Sequence, residues 1–427
     1  LWFHLGWSSE KLREKQDEQL SEIVLWAYNR VPFYRKRLDK AGISPGDIKR
    51  VEDLQQLPVT ERGEIVGEDL KPFLARGINL SECFLRLTSG STGMPVTRAF
   101  TRDEIAVRGA LSRRVLLSYG LYPHLCNLVV GDPRTWSPSW YQRVGIYRER
   151  HLSAFVPQDE QANIYRSYKP DILSGYPSSL RLLGESLRRD GTFFPKPRII
   201  LTVGETLLPT TRSFLEEIFE APVRDRYGVE EMGYIAWECP VGGGYHVVAD
   251  CGVFEVVDDK NLPVTPGEEG DLILTSLYAR AMPLIRYRLG DRVSMEPDAC
   301  PCGCSFPRIR LIMGRADDLL RLPSGEWIHP VVAACGVVDL PGIDLFRIIQ
   351  KGAREYQVNL VTRYQLSSEV ESNIKDYFKT HLCADHVVVN RVSGISPDQS
   401  GKFQHIIYQV RKESKFPSLG DTGRKDG

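Results

Sequence analysis

The sequence predicts an α/β protein. A large, multi-part amino-terminal domain, holding parallel sheets and a β-barrel-like portion, is followed by a small α+β carboxy-terminal domain. Length is the first ground: 427 residues exceed what a single hydrophobic core organises. The second is an alternation of β-rich apolar runs with helical stretches from Val51 to about residue 320, the order that builds sheets flanked by helices. The third is a compact group of strands and one helix beyond Arg315, filling roughly 100 residues, the size of a small domain.

Residues 8–40 open the chain with apolar positions at helical spacing (Leu12, Leu20, Ile23, Val24 and Ala27) among many charges, followed by Pro32. An amphipathic helix ending at a proline is expected. Phe84–Leu87 is a short apolar run. Asn127–Val130 and Ile199–Val203 are continuous, as in buried parallel strands, and Leu180–Arg189 and Thr210–Phe219 are helical. Val253–Val257 and Leu272–Leu274, with turns at Gly242-Gly243-Gly244 and from Pro263 to Gly270, read as antiparallel or barrel-like β-structure. Leu345–Ile349, Tyr356–Val361 and Val387–Val389 read as strands of the last portion, with a helix over Ser367–Phe378. The tail from Lys412, rich in Lys, Ser, Gly and Asp, is expected to fray.

Hydrophobic residues at 42% and charged residues at 26% give an ordinary globular balance, which excludes widespread disorder. Lys plus Arg and Asp plus Glu each total 55, so no global field draws nucleic acid or anionic lipid. No uninterrupted apolar run approaches the roughly 20 residues of a membrane span, and the opening Leu-Trp-Phe-His lacks a basic leader. A cytoplasmic chain is expected, with no nucleic-acid partner and no membrane span. The 9 cysteines are odd in number, which disfavours a disulfide framework in a chain this long. Cys300, Cys302 and Cys304 crowd into Ala-Cys-Pro-Cys-Gly-Cys-Ser, a spacing suited to a metal knuckle rather than to mutual disulfides.

The first candidate for chemistry is Thr88-Ser89-Gly90-Ser91-Thr92-Gly93-Met94-Pro95. Small residues let backbone N–H groups approach an anion and hydroxyls add donors, so the loop can cradle a polyphosphate. Alone it is an ordinary turn, and it is not a Walker loop, since Gly-Lys-Ser/Thr is missing.

Four further segments follow in an order that resembles the acyl-adenylate-forming superfamily of acyl-CoA synthetases, luciferases and peptide-synthetase adenylation domains. Thr88–Pro95 is similar to that superfamily's phosphate loop, and Tyr227-Gly-Val-Glu-Glu231 to its aromatic-Gly-x-x-Glu segment. Tyr287-Arg-Leu-Gly-Asp291 resembles the ribose-binding segment, Gly314-Arg315-Ala-Asp317-Asp318 the hinge, and Ser400-Gly401-Lys402-Phe403 the turn of the catalytic lysine. Within the superfamily, Tyr34 in the first helical region, Leu57-Pro58-Val59-Thr60, Ile285-Arg286-Tyr287-Arg288 and a Cys-x-Cys-Gly before Gly-Arg-x-Asp-Asp resemble the phenylacetate-CoA ligase and capsule-biosynthesis (CapK-like) branch.

The resemblance implies ATP-dependent activation of a small carboxylic acid, aryl acids included, as an acyl-adenylate. Lys402 would bridge the acid and the α-phosphate, where a preorganised cation favours the charge-rich transition state. Glu231 would hold Mg²⁺, a hard cation that prefers carboxylate and phosphate oxygens, while its neighbour Glu230 would be structural or solvent-facing. Tyr227 would pack on adenine, Gly204, Glu205 and Thr206 would line the base, and Asp291 would accept from the ribose hydroxyls. Arg315 would contact ribose or phosphate, and Asp317 would be the pivot of the small domain. The implied division is residues 1–314 for ATP and acid, 315–412 for the mobile domain and 413–427 for the tail. A lone lysine, aspartate or glutamate of this kind is ordinarily solvated or a turn former; the ordered set is what singles these out.

Cys239 and His246 flank the Gly-Gly-Gly turn, and Cys300-Pro-Cys302 lies downstream. Three thiolates and an imidazole make a closed tetrahedral Zn²⁺ set, structural because no coordination position stays open. A lone buried Cys or His would be a core residue, and Cys304 is a competing ligand. For the acid pocket the candidates are Tyr176 and Pro177, in the Gly175–Ser179 loop ahead of a helix at Leu180, and Trp136, with Trp140 and Tyr141 nearby. Several of these aromatics fill the core on the simpler reading. His381, Asp385 and His386 are read as structural.

Two departures bear on the activity. Met94 stands where much of the superfamily has lysine, removing a charge from the pyrophosphate side. The segment Leu322–Pro330, with His329, differs from the Arg-Gly-x-Asn-containing loop of phenylacetate ligases. CoA is the first acceptor expected, an amine or hydroxyl of a biosynthetic acceptor the second, and a nucleotide-binding scaffold without turnover the third reading. The acid and the oligomeric state are not legible.

Overall fold

The computed structural model describes residues 2–65, 69–87, 96–131, 140–315, 320–325, 327–328, 330–338, 340, 342–362, 364–397, 402–403 and 406–409. The chain packs as two compact units. One comprises Leu1–Val257, Pro263–Asp317 and Ser396–Phe403, the other Asp258–Leu262, Asp318–Ile395 and Gln404–Gly427.

The first unit begins with α1 (Ser9–Arg30) and α2 (Pro32–Ala41). The amphipathic helix ends just before Pro32 as expected, and a second helix, not foreseen, begins there. Proline has no N–H to continue α1, and its fixed φ suits the first position of a new helix, so Pro32 both ends one and starts the next. Leu20, Ile23, Val24 and Ala27 are fully buried along one face, packed with Tyr34 and Leu38. The Tyr34 hydroxyl donates to Pro283 O at 3.2 Å and accepts from Ile285 N at 3.0 Å. This helix pair therefore grips the segment that leads into the expected ribose motif.

A hairpin of β1 (Phe84–Leu87) and β2 (Thr97–Phe100) precedes α3 (Arg102–Ser118), whose start is fixed by a reciprocal cap between Thr101 and Glu104. The αβ alternation then runs β3 (Cys126–Gly131), α4 (Trp140–Arg143), β4 (Arg148–Ser153), α5 (Gln158–Tyr168), β5 (Ile172–Gly175), α6 (Pro177–Asp190), β6 (Ile199–Val203), α7 (Pro209–Phe219) and β7 (Val223–Val229). β3 to β7 pair in parallel with their neighbours, as the continuous apolar runs predict. Helix α6 starts three residues before the expected Leu180, again because proline takes its first position.

Beyond β7 the pairing turns antiparallel, through β8 (Gly233–Glu238), β9 (Tyr245–Val247), β10 (Gly252–Val257), β11 (Glu269–Ser276), β12 (Tyr287–Met295) and β13 (Arg308–Arg315). Among the described residues these continue the parallel strands in one sheet of 11, ordered β10-β11-β12-β13-β9-β8-β7-β6-β5-β3-β4. The two classes of strand expected from the sequence are both present, and β7 is where they meet.

The second unit holds β14 (Leu320–Arg321), β15 (Trp327–Ile328), α8 (Pro330–Val338), β16 (Ile343–Gly352), β17 (Glu355–Thr362), α9 (Ser368–Leu382), β18 (His386–Arg391) and β19 (Ile406–Tyr408). Its sheet has the order β18-β17-β16-β19, and Ile348, Val358 and Leu360 pack beneath it fully buried, as do Ile374, Phe378 and Leu382 of α9. Ser367 caps α9 rather than belonging to it, and the helix runs on to Leu382. No helix among the described residues is long and apolar enough to cross a membrane.

Candidate active site

Strand ends and the turns that leave them supply the site. At the end of β6 the chain turns through Gly204, at φ +85°. A Cβ there would stand 3.0 Å from the Tyr176 ring and 3.3 Å from Lys402 Cε. Glycine is therefore what lets the turn approach both side chains. Lys402 Nζ lies 5.7 Å from the centroid of the Tyr176 ring, a distance at which a ring face attracts a cation. Tyr176 itself caps α6, just ahead of Pro177. Glu205, the next residue, accepts from Ser178 N at 3.1 Å and Ser178 Oγ at 2.6 Å with one oxygen, and from Phe403 N at 2.8 Å with the other. Gly204, Glu205, Tyr176, Pro177 and Lys402 are thus brought together; Thr206 is exposed beside them.

The second group sits where β7 ends and along the first half of β12. The Tyr227 hydroxyl donates to Asp291 Oδ2, joining two sequence candidates that lie 64 residues apart. Glu231 is 2% exposed. Its Oε1 accepts from the Tyr287 hydroxyl at 3.3 Å and lies 3.6 Å from Arg62 Nη1, while its Oε2 is buried with no hydrogen-bond partner among the described residues. Burial, with the Glu231 charge second, pushes the Tyr287 phenol above its ordinary value, so it stays a donor. A buried carboxylate oxygen without a donor is a costly arrangement in isolation and one that fits a hard cation. Glu230 points outward, 49% exposed, with Arg108 at 4.0 Å.

The segments that marked the branch converge here as well. Thr60 pairs with Tyr287 in an isolated parallel bridge, its Oγ1 donating to Ile285 O at 2.9 Å. Arg286 forks onto Glu255 and reaches Leu57 O at 2.6 Å. Register places Arg315 opposite Asp291 on the neighbouring strand. The side chain of Arg315 lies outside the described residues, as do Thr88, Ser89, Gly90, Ser91, Thr92, Gly93, Met94, Trp136, Asp317 and His329. Tyr141 accepts from Arg113 Nη2 at 2.6 Å, which gives it a structural role. In the second unit, His381 stacks on Tyr377 and Asp385 pairs with Arg354, so both are held by ordinary contacts. Sequence reasoning missed Arg62 altogether and the contacts of Ser178 and Phe403 with Glu205, because each acts through a residue distant in the chain.

Cys239, His246, Cys300 and Cys302 gather with their ligand atoms all within 4.8 Å of one another. Cys239 Sγ and Cys300 Sγ are 3.5 Å apart and His246 Nε2 is 3.3 Å from Cys302 Sγ. Four ligands around zinc at bonds of about 2.3 Å have neighbours roughly 3.8 Å apart, so the set fits a tetrahedral cation. His246 Nδ1 is 2.8 Å from Phe306 O; with that nitrogen donating, Nε2 keeps the lone pair a metal needs. Burial lowers the His246 pKa, which favours the neutral ring. Burial opposes the Cys239 thiolate, but N–H groups of Gly242 and Val241 and the neighbouring thiols outweigh it and lower its pKa. Partial desolvation, with the neighbouring thiols of Cys300 and Cys239, pushes the exposed Cys302 up to about 12. A Cβ at Gly242 would meet Cys300 Sγ at 2.7 Å, which explains why that turn begins with glycine. Cys304 donates its backbone N–H to Cys302 Sγ at 3.4 Å and lies outside the gathered set.

The fold is that of adenylate-forming ligases, and in sequence the chain is similar to members of that class. Among solved structures, a 2-hydroxyisobutyryl-CoA ligase in the postadenylation state, in complex with R3-HIB-AMP, matches with a TM-score of 0.78. That match covers 94% of this chain and 90% of that one at 21% identity. In sequence the chain is 28% identical to a phenylacetate-coenzyme A ligase of Thermus thermophilus over 355 residues, 78% of this chain and 77% of the relative. It is 24% identical to protein CapK of Staphylococcus aureus over 325 residues, 73% and 69% of the two chains. No protein-family model matches the chain. The likeness to phenylacetate-CoA ligases and CapK is the one the ordered motifs imply.

Proposed function

We propose that the chain activates a small carboxylic acid, aryl acids included, with ATP and passes the acyl group to the thiol of CoA. The observation that carries the reading is the meeting of Lys402 with Tyr176 and Gly204, in a chain similar to phenylacetate-CoA ligases. A carboxylate is a poor electrophile. Its oxygen attacks the α-phosphorus of ATP, pyrophosphate leaves, and the acyl-adenylate carries AMP as a good leaving group. The thiol then attacks the acyl carbon, releasing AMP.

In this reading Lys402 neutralises charge between acid and α-phosphate, worth about 3–4 kcal/mol by analogy with other preorganised donors. Asp291, oriented by Tyr227, accepts from the ribose hydroxyls, and the 204–206 turn lines the base. The backbone N–H groups of Thr88–Gly93 cradle the phosphates, with Arg315 on the ribose or phosphate side. Glu231 holds Mg²⁺ through its unpartnered oxygen; the ion supplies charge neutralisation on the phosphates. Tyr176 and Pro177, with Trp136, line the acid. Asp317 is the pivot of a mobile carboxy-terminal domain. Zn²⁺ on Cys239, His246, Cys300 and Cys302 is structural. ATP and CoA are cytoplasmic metabolites, and we place the enzyme there. A second reading, transfer to an amine or hydroxyl, is favoured by one feature, the departure of Leu322–Pro330 from the phenylacetate-ligase loop.

Pyrophosphate exchange into ATP across a panel of carboxylic acids tests the reading. Acid-dependent exchange is expected, and product mass with CoA or amines then separates the acceptors. No exchange with any acid, under conditions where the protein binds ATP, would leave the scaffold reading in its place.

A further inference from the structure

We infer that Glu205 is a clasp that positions the lysine-bearing turn, over and above any part it has in lining the base. Its two carboxylate oxygens serve different segments. Oε2 takes both donors of Ser178, in the first turn of α6, and Oε1 takes the backbone N–H of Phe403, adjacent to Lys402. One side chain thereby joins the end of β6, the start of α6 and the lysine turn. The same helix start presents Tyr176, over whose ring Lys402 Nζ lies. Phe403 is 7% exposed, so the residue following the lysine is seated rather than loose. With its neighbour's N–H held by Glu205, the backbone that carries the lysine is anchored on its carboxy-terminal side.

The chemistry of the position asks for a carboxylate. Three N–H or O–H donors converge on two acceptor oxygens, and only an ionised acid accepts with both. Glutamine, of the same shape, offers one oxygen. If that oxygen keeps the two Ser178 donors, its NH₂ faces the Phe403 N–H, donor against donor, and the turn is released while α6 stays anchored. Aspartate is one methylene too short to span the same gap.

The proposal rests on the adenylation role of Lys402, and the test separates the two. In the full chain, Glu205→Gln is compared with wild type and with Ser178→Ala, following hydrogen exchange of the Phe403 amide, melting temperature and pyrophosphate exchange with ATP and the best acid of the panel. The clasp predicts Phe403 exchange faster by about 10-fold or more in Glu205→Gln, since an amide released from a fixed acceptor opens locally. It predicts exchange within about 3-fold of wild type in Ser178→Ala, where the Phe403 bond remains. It also predicts kcat lower by about 10- to 100-fold with KM for ATP within about 2-fold, the pattern of a displaced catalytic group. An unchanged Phe403 amide in Glu205→Gln overturns the clasp whatever the activity. A raised KM for ATP at unchanged kcat overturns it too, assigning Glu205 to nucleotide binding alone. Faster amide exchange together with full activity in Lys402→Ala would keep the clasp and sink the adenylation role instead.

Discussion

The cluster around Lys402 and Glu231 and the cluster around Cys239 are both polar and both in the first unit, yet they are built in opposite ways. The four Cys/His residues come from the turn after β8, from β9 itself and from the turn before β13, which β9 and β13 hold side by side, and each ligand atom faces the other three. Nothing in that set points to a further group. The cluster around Lys402 and Glu231 draws on β6, β7, β12, the start of α6 and the segment at Phe403. It leaves Glu231 Oε2 buried without a partner among the described residues and keeps Gly204 and Thr206 exposed. A closed set of this kind would hold a fold together around one ion, whereas a set with an unspent acceptor would take a ligand.

That contrast can be broken most sharply at Lys402. Lys402→Ala should lower acid-dependent pyrophosphate exchange by about 10²- to 10³-fold, with a melting temperature within about 2 °C of wild type; a large drop in melting temperature would make the lysine structural. Asp291→Asn comes next. Losing a charge-assisted acceptor of about 1.5–3 kcal/mol should raise KM for ATP by roughly 10- to 100-fold, and steady-state kinetics would show it.

On the other side, Cys302→Ser should leave the protein well below one zinc per chain by metal analysis. The melting temperature should fall by at least about 5 °C, since each kcal/mol moves a domain of this size by about 2–4 °C. Full retention of both would remove the metal site.

The smallest effect is expected between the two clusters. Asp225 on β7 is fully buried, accepting from Thr202 and, at 3.0 Å, from the Tyr245 hydroxyl. Burial raises its pKa above the ordinary carboxylate value. An acid with a raised folded pKa adds stability that is complete below its unfolded pKa and is lost as pH rises through the folded one. Asp225→Asn should therefore flatten the decline of melting temperature with rising pH above about 4, where a free aspartate ionises. An unchanged slope would mean that Asp225 is ionised when folded.

Much of this was legible because it is local. Unbroken apolar runs gave β3 and β6, proline and serine fixed helix starts, and the five ordered motifs marked Tyr227, Glu231, Asp291 and Lys402. The Cys-x-Cys and the Cys-to-His spacing picked out the four residues whose ligand atoms gather. What escaped is long-range. Ser178 and Phe403 meet only through Glu205, and Arg62 reaches Glu231 across 169 residues of chain; no spacing rule connects such partners. The proline at 32 was read as an end and is also a beginning, because the sequence signal for stopping a helix is the same residue that starts one.

The account turns on an acid oxygen meeting the α-phosphorus. Running the reaction with ATP, CoA and an accepted acid labelled with ¹⁸O in its carboxylate, and weighing the AMP, tests this directly. The account predicts one ¹⁸O in each AMP released. Unlabelled AMP, with the label found in pyrophosphate or phosphate, would contradict it.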